Sequence, residues 1–132
     1  MKVFIDTSTF IALLNADDRF HLPAKQSWQE ILSQDSLLIT NNYVLVETLA
    51  ILQNRFGIEA VQLFHKDVLP VLDIFWIDEL THAKGESAML AASRRGLSLV
   101  DCVSFETMRA GGITCAFTFD RHFTEQGFQV IP

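Results

Sequence analysis

The chain has 132 residues, the length of a single domain, and 49% of them are hydrophobic, with eleven Phe and three Pro. This composition excludes an intrinsically disordered, collagen-like or coiled-coil protein. Ten basic and sixteen acidic residues give a net charge of −6, which argues against binding of nucleic acid through a broad basic face. It does not argue against a nucleic-acid enzyme whose carboxylates surround metal ions.

No segment of the sequence has the features of a membrane span or a secretion signal. The apolar runs fall short of the ~20 residues that a transmembrane helix needs, and the layout of a signal peptide is absent. Cys102 and Cys115 form no CxxC motif. We therefore expect a cytoplasmic protein without membrane association, whose thiols stay reduced and buried.

Short apolar runs alternate along the chain with longer segments of helical period, a pattern typical of α/β proteins. In the first half we predict, in order, a strand at 3–5, a helix beginning near Phe10, a helix with Pro23 in its first turn, a strand at 37–39 and a helix from 40–42 to about Arg55. The second helix has an apolar stripe formed by Ala24, Trp28, Ile31 and Leu32.

In the second half we predict a helix through 61–68 that ends at Pro70, a strand at 74–77, an alanine-rich helix from 81–82 to Gly96, a helix from 98 to Gly111, and strands at 114–119 and 128–131. Five strands separated mostly by helices predict a parallel sheet with right-handed crossovers and helices on both faces. No linker or repeat divides the chain. The sequence thus predicts a three-layer α/β/α fold with about five strands, and residues 1–132 as one domain.

Several predicted strands end in aspartate. Asp6 follows the first strand and Asp120 follows the strand at 114–119. In a parallel sheet the carboxyl ends of the strands lie at one edge, where α/β folds bind ligands, so both carboxylates would face one crevice. The alternative for each is a cap on the following helix. Asp78 ends the strand at 74–77 in the same way, and spacing does not decide between Asp78 and Asp120.

Glu47 and Asp101 have apolar neighbours. An ionised carboxylate on the apolar helical face around Glu47 is costly unless it is paired or bound to a metal. The alternative for Glu47 is a structural salt bridge with a base such as Arg55. Asp101 has the same character, but Ser98-x-x-Asp101 also fits a capping box, which requires no function.

Together these carboxylates indicate a site for a hard cation. Oxygen ligands without nearby Cys or His favour Mg²⁺ or Mn²⁺ over Zn²⁺. The four histidines are far apart in the sequence and show no HExxH spacing. There is also no GxGxxG or GxxxxGK[ST] motif for a nucleotide and no GxSxG motif for a hydrolase nucleophile.

The order of the acids resembles that of the PIN-domain family, small metal-dependent ribonucleases that include the VapC-type toxins of bacterial toxin–antitoxin pairs. Four segments carry the resemblance: VFIDTSTFIALLNADD at 3–18, LLITNNYVLVETL at 37–49, GLSLVDCVSFETMR at 96–109 and AFTFDRHF at 116–123. It covers nearly the whole chain. The resemblance implies the sheet order 3-2-1-4-5, which agrees with the parallel sheet predicted above.

The resemblance assigns the four acidic positions of the family to Asp6, Glu47, Asp101 and Asp120. Asp78 matches no acid of the family and is interpreted as a surface turn residue. Ser8 and Thr118 fall where the family often has a hydroxyl near the acids.

The activity implied by the resemblance is hydrolysis of RNA phosphodiester bonds with one or two Mg²⁺ or Mn²⁺ ions, ~4 Å apart if there are two. Asp6 would anchor the principal metal, and Glu47 and Asp101 would complete its ligation. Asp120 would hold a second metal or orient the nucleophile. The sequence is therefore interpreted as a metal-dependent endoribonuclease, the toxin of a VapBC-type pair.

Arg121 and His122 come directly after Asp120 and would contact substrate phosphate, with an exposed structural role as the alternative. The expected partners are RNA, a cognate antitoxin and a second copy of the chain. One rival is a catalytically silent PIN-like domain that binds RNA or protein. Another is a receiver-like phospho-acceptor, which is disfavoured because Asp6 has no paired acid and no lysine follows Lys84.

Overall fold

A five-stranded, all-parallel sheet forms the centre of the computed structural model, which describes residues 1–132. The spatial order of the strands is β3-β2-β1-β4-β5, so the order expected from the family resemblance is confirmed. In chain order the strands are β1 (Lys2–Ile5), β2 (Leu37–Asn41), β3 (Asp73–Phe75), β4 (Cys115–Phe117) and β5 (Gln129–Ile131).

Seven α-helices flank this sheet, which confirms the α/β/α prediction. They are α1 (Thr7–Leu14), α2 (His21–Ser33), α3 (Asn42–Phe56), α4 (Ile58–Leu63), α5 (Glu79–Ala92), α6 (Leu99–Ala110) and α7 (His122–Glu125). None of these helices combines the length and the apolar character that a membrane span requires.

The central strand β1 determines where the candidate site forms. Val3, Phe4 and Ile5 are all fully buried, because both faces of β1 are covered. The parallel register pairs Ile5 with Phe117 of β4. The chain leaves both strands at the same edge of the sheet.

Helix α1 begins three residues earlier than the sequence predicts. Asp6 is its N-cap and accepts a hydrogen bond from the backbone N–H of Ser8, so the helix starts at Thr7 directly after β1. The hydrophobic period that begins at Phe10 marks the buried face of α1 and not its first residue. Helix α3 follows the prediction closely, with Asn41 as its N-cap and Gly57, at φ 86°, as its C-cap.

The segment between α3 and β3 departs most from the sequence prediction. The single helix expected to end at Pro70 is divided into α4, a π-helical turn at Phe64–Val68 and a 3₁₀ turn at Leu69–Val71. Phe64 and Val68 at the two ends of the π-helical turn are both buried in the core. The expected strand at 74–77 is also shorter: β3 ends at Phe75, and Trp76 is 71% exposed.

Two smaller features differ from the sequence prediction. Leu32 is 46% exposed and does not belong to the buried stripe of α2. The short helix α7 was not predicted, because its four residues are fewer than a hydrophobic period needs. Cys102 and Cys115 are free and buried, as expected.

Candidate metal centre and active site

The four acids assigned from the sequence line one cleft of about 460 Å³. The cleft lies beside the carboxyl ends of β1 and β4, where ligands bind in open parallel sheets. Its acidic lining includes Asp6, Glu47, Asp101 and Asp120. Asp78 is absent from this lining and caps α5 by accepting a hydrogen bond from the backbone N–H of Thr81 at 2.8 Å.

Asp6 is the most deeply placed of these acids, with 5% of its surface exposed. Its Oδ2 accepts hydrogen bonds from Ser8 Oγ at 2.8 Å and from Thr118 Oγ1 at 3.0 Å. Burial raises the pKa of Asp6 to about 6; the two hydroxyl groups oppose this rise, and the charges of Asp101 and Asp120 add to it. Asp6 therefore caps a helix and also lines the cleft, so the two interpretations of this residue are compatible.

Asp101 also combines a structural and a site position. Its backbone N–H donates to Ser98 Oγ at 3.1 Å, and its Oδ2 accepts from the backbone N–H of Ser98 at 3.1 Å, which completes the capping box of α6. Burial raises the pKa of Asp101, and the charge of Asp120 raises it further. The capping box thus holds a carboxylate at the cleft in a fixed orientation.

Asp120 is held just beyond the end of β4. Its backbone N–H donates to Thr118 Oγ1 at 3.0 Å, and its Oδ1 accepts from the backbone N–H of His122 at 2.9 Å. Its side chain is 29% exposed, compared with 12% for Asp101. Asp120 is therefore a more solvent-accessible carboxylate of the cleft than Asp101.

Glu47 faces the cleft from α3 and has no hydrogen-bond or ion-pair partner in the protein. Arg55 lines the same cleft but forms no salt bridge with Glu47, so the structural pairing considered from the sequence is not present. A buried contact between Thr48 Oγ1 and Thr7 Oγ1, 3.4 Å apart, joins α3 to α1 next to the site. Glu47 is consequently a half-buried carboxylate whose oxygens are available to a ligand.

Asp101 and Asp120 of the cleft form a closer cluster with His122, which is not part of the cleft lining. One ligand atom from each lies within 4.8 Å of the others. His122 Nδ1 is 2.9 Å from Asp120 Oδ1 and 3.7 Å from Asp101 Oδ2, yet this buried nitrogen makes no hydrogen bond. Asp6 and Glu47 line the cleft but are not members of this cluster.

The donor set suits a divalent cation. Burial raises the pKa values of Asp6 and Asp101, and nearby carboxylate charges raise them further; a positive charge between such groups stabilises their ionised forms. The buried nitrogen of His122 also lacks a partner, which a cation would provide. The structure thus shows an acidic cluster that could bind a metal ion.

The remaining sequence candidates have different surroundings. Ser8 and Thr118 both contact Asp6. Arg121 is 84% exposed, lies 3.8 Å from Glu125 and does not line the cleft.

One part of the cleft was not identified from the sequence. Phe20 and Phe119 line it as a stacked pair, with ring centroids 4.6 Å apart and an interplanar angle of 9°. The rings come from distant parts of the chain, and no sequence pattern indicates that they meet.

Comparison with known proteins places the chain in a family. The PIN domain family matches residues 3–129. The chain therefore belongs to the PIN-domain family, as the order of its acids indicated. The 23S rRNA-specific endonuclease VapC20 of Mycobacterium tuberculosis is 33% identical over 129 residues, which are 96% of this chain and 95% of VapC20.

Solved structures show the same fold. The crystal structure of M. tuberculosis VapC20, described as a sarcin–ricin loop cleaving toxin, matches with a TM-score of 0.86 at 33% identity, over 98% of this chain and 99% of that one. VapBC2 from Rickettsia felis, bound to promoter DNA, matches with a TM-score of 0.73 at 13% identity, over 98% and 97%. FitAcB from Neisseria gonorrhoeae matches with a TM-score of 0.71 at 14% identity, over 98% and 96%. The last two support the fold alone.

Proposed function

We propose that residues 1–132 form a single PIN-like nuclease domain that hydrolyses phosphodiester bonds in RNA with Mg²⁺ or Mn²⁺. The observation that carries this proposal is the convergence of the four assigned carboxylates, together with Asp18, in one cleft, where Glu47 has no ion-pair partner. Burial, together with repulsion from neighbouring carboxylates, raises the pKa values of Asp6 and Asp101, which is typical of groups in functional sites. They are suited to surround a metal ion.

The substrate that the similarity favours is ribosomal RNA. VapC20 is an endonuclease specific for 23S rRNA and is described as cleaving the sarcin–ricin loop. The match extends over almost the full length of both chains, so the same loop is the first RNA to test. The net charge of −6 means that recognition depends on the shape of the RNA and a few local contacts.

The proposal extends to partners. VapC20 is described as a toxin, so a cognate antitoxin is the expected protein partner of this chain. We also expect a homodimer, acting in the cytoplasm.

Asp101 and Asp120 would hold the cation, with Asp6 and Glu47 completing its acidic surroundings. When bound, the ion supplies Lewis-acid stabilisation of the charge that develops on the phosphate and assists ionisation of the attacking water. The side chain of Asp120 is partly exposed to solvent and would orient the water that attacks phosphorus. The hydroxyls of Ser8 and Thr118 hold Asp6 in one orientation while it is ionised.

Cleavage of RNA by the purified protein tests this proposal. Substrates are an RNA containing the sarcin–ricin loop and a set of tRNAs, each with Mg²⁺, with Mn²⁺ and with EDTA. Asp6→Asn removes a carboxylate charge at almost constant volume and is expected to abolish cleavage. Asp78→Asn is the matched control, because asparagine retains the N-cap of α5 and position 78 is not part of the cleft lining.

The proposal is supported by metal-dependent cutting that is lost in EDTA and in Asp6→Asn but retained in Asp78→Asn. Cutting of tRNA alone would support the nuclease activity and contradict the ribosomal RNA substrate. Full activity of Asp6→Asn would show that the site assignment is wrong. Cation binding without cutting of any RNA would instead favour a silent binding module.

A further inference from the structure

The imidazole of His122 lies in a buried position that the neighbouring residues in the sequence do not predict. Its side chain is only 12% exposed, and its Nδ1 is buried without a hydrogen bond. A buried polar atom left without a partner costs about 1–3 kcal/mol. The nitrogen nevertheless lies close to two carboxylates, Asp120 and Asp101, at 2.9 Å and 3.7 Å.

The position of His122 is set by the core and is not a loose surface arrangement. The next residue, Phe123, is fully buried. Its ring packs edge-on against Phe105 of α6, with centroids 5.0 Å apart. Because α6 also carries Asp101, this contact fixes the first turn of α7 relative to that carboxylate.

The distances match those between ligands of a single ion. Two ligands about 2.1 Å from an octahedral cation lie about 3.0 Å apart when adjacent and about 4.2 Å apart when opposite. The distance from Nδ1 to Asp120, 2.9 Å, is close to the first value, and the distance to Asp101, 3.7 Å, lies between the two. The other histidines are not in such a cluster: His21 Nδ1 lies 2.8 Å from the carbonyl of Ala12, and His82 contacts Tyr43 and Glu86.

We infer that His122 binds the divalent cation directly through Nδ1, together with Asp101 and Asp120, and that this nitrogen ligand makes the site prefer Mn²⁺ to Mg²⁺. Mg²⁺ favours oxygen ligands, whereas imidazole nitrogen suits transition metals and raises their relative affinity. This role rests on the proposed metal-dependent function but assigns His122 to the metal and not to substrate phosphate. It also explains why the nitrogen is buried between carboxylates.

The rival explanation is an ion pair in which a protonated His122 takes the place of the cation between the two carboxylates. The two explanations predict opposite effects of removing the imidazole. Loss of a ligand weakens metal binding, and weakens Mn²⁺ binding more than Mg²⁺ binding. Loss of a competing positive charge strengthens the binding of both ions.

Calorimetric titration of the RNA-free protein with MnCl₂ and with MgCl₂ distinguishes these cases. His122→Asn replaces the nitrogen donor with an amide oxygen near the same position. We expect it to weaken Mn²⁺ binding about tenfold and to change Mg²⁺ binding much less. His65→Asn, at an exposed histidine of the π-helical turn, is the matched control and should leave both affinities unchanged. Thermal unfolding verifies that the variants are folded.

Electron spin-echo spectroscopy of Mn²⁺ bound to the wild-type protein gives a second readout that needs no variant. A directly bound imidazole produces nitrogen couplings that change when histidine is labelled with ¹⁵N. Absence of nitrogen coupling, or tighter binding of both ions by His122→Asn, would overturn the inference. Nitrogen coupling in a protein that cuts no RNA would support His122 as a ligand and count against the nuclease function.

Discussion

Thr118 donates a hydrogen bond of 3.0 Å from its Oγ1 to Oδ2 of Asp6, across 112 positions of the chain. The bond follows from the pairing of β1 with β4, because the paired residues Ile5 and Phe117 are directly followed by Asp6 and Thr118. It favours the ionised form of a carboxyl whose pKa burial has raised to about 6. The strand pairing thus supplies one of the two hydroxyl groups that oppose the rise in the pKa of Asp6.

Thr118→Val removes this hydroxyl with little change in volume. Because the hydrogen bond lowers the pKa of Asp6, its loss should raise that pKa further. We expect RNA cleavage to fall about tenfold and the acidic limb of its pH profile to move to higher pH. Thr114→Val, at an exposed position before β4, is the control. An unchanged pH profile in Thr118→Val would contradict the role of this hydroxyl.

Asp6→Asn should stabilise the metal-free protein above pH 6. The pKa of Asp6 rises from 3.8 to about 6 on folding, so the folded state retains a proton that the unfolded state releases between these values. Wild-type stability therefore falls as the pH rises through this range, by about 3 kcal/mol at most. Asparagine avoids that loss.

Urea unfolding in EDTA at pH 4 and pH 8 measures this effect. The stabilisation by Asp6→Asn should be present at pH 8, decrease as the pH falls below 6 and be absent near pH 4. Asp78→Asn should have the opposite sign at pH 8, because the hydrogen bonds from Thr81 lower the pKa of Asp78 in the folded state. Equal destabilisation by both variants would contradict a raised pKa of Asp6 in the folded state.

Ser98→Ala tests the link between the capping box and the site. The change removes the acceptor for the backbone N–H of Asp101 and should lower the free energy of unfolding by about 1 kcal/mol. It also loosens Asp101, so cleavage should fall by more than the unfolded fraction explains. Ser98→Thr keeps the hydroxyl and should restore both properties. Normal cleavage in a destabilised Ser98→Ala protein would show that the cap serves the helix alone.

Gly85→Ala tests the packing of α5 against α6, the helix that carries Asp101. A Cβ at position 85 would lie 2.4 Å from Val103 Cγ2 and 3.1 Å from the backbone of Val103. We expect a loss of about 1–3 kcal/mol from this overlap, larger than the gain in helix propensity of about 1 kcal/mol. Gly96→Ala meets no atom within 4 Å and should leave the unfolding midpoint nearly unchanged. Equal midpoints for both variants would contradict the close approach.

Asp101 illustrates which features of the site the local sequence can predict. The spacing Ser98-x-x-Asp101 was sufficient to predict a capping box, because that motif depends only on residues within one helical turn. The same spacing could not show whether Asp101 also faces the other acids. That depends on α6 lying beside the ends of β1 and β4.

The choice between Asp78 and Asp120 shows the limit more directly. Both follow an apolar run, and the spacing of residues treats them alike. In the fold, β4 pairs with β1, whereas β3 is the edge strand beyond β2. Only Asp120 therefore reaches the cleft that holds Asp6, a distinction that the family resemblance indicated and the periodicity did not.

By itself, the sequence determined the α/β alternation, the capping box of α6 and a set of candidate acids that still included Asp78, because these depend on hydrophobic period and on contacts within a few residues. Tertiary structure decided which of those groups meet: it left Glu47 unpaired, joined Thr118 to Asp6, and buried His122 Nδ1 between two carboxylates. Burial and electrostatic repulsion act between residues that are distant in the chain. The charge and metal chemistry of the cleft therefore become defined only when the sheet and its helices are assembled.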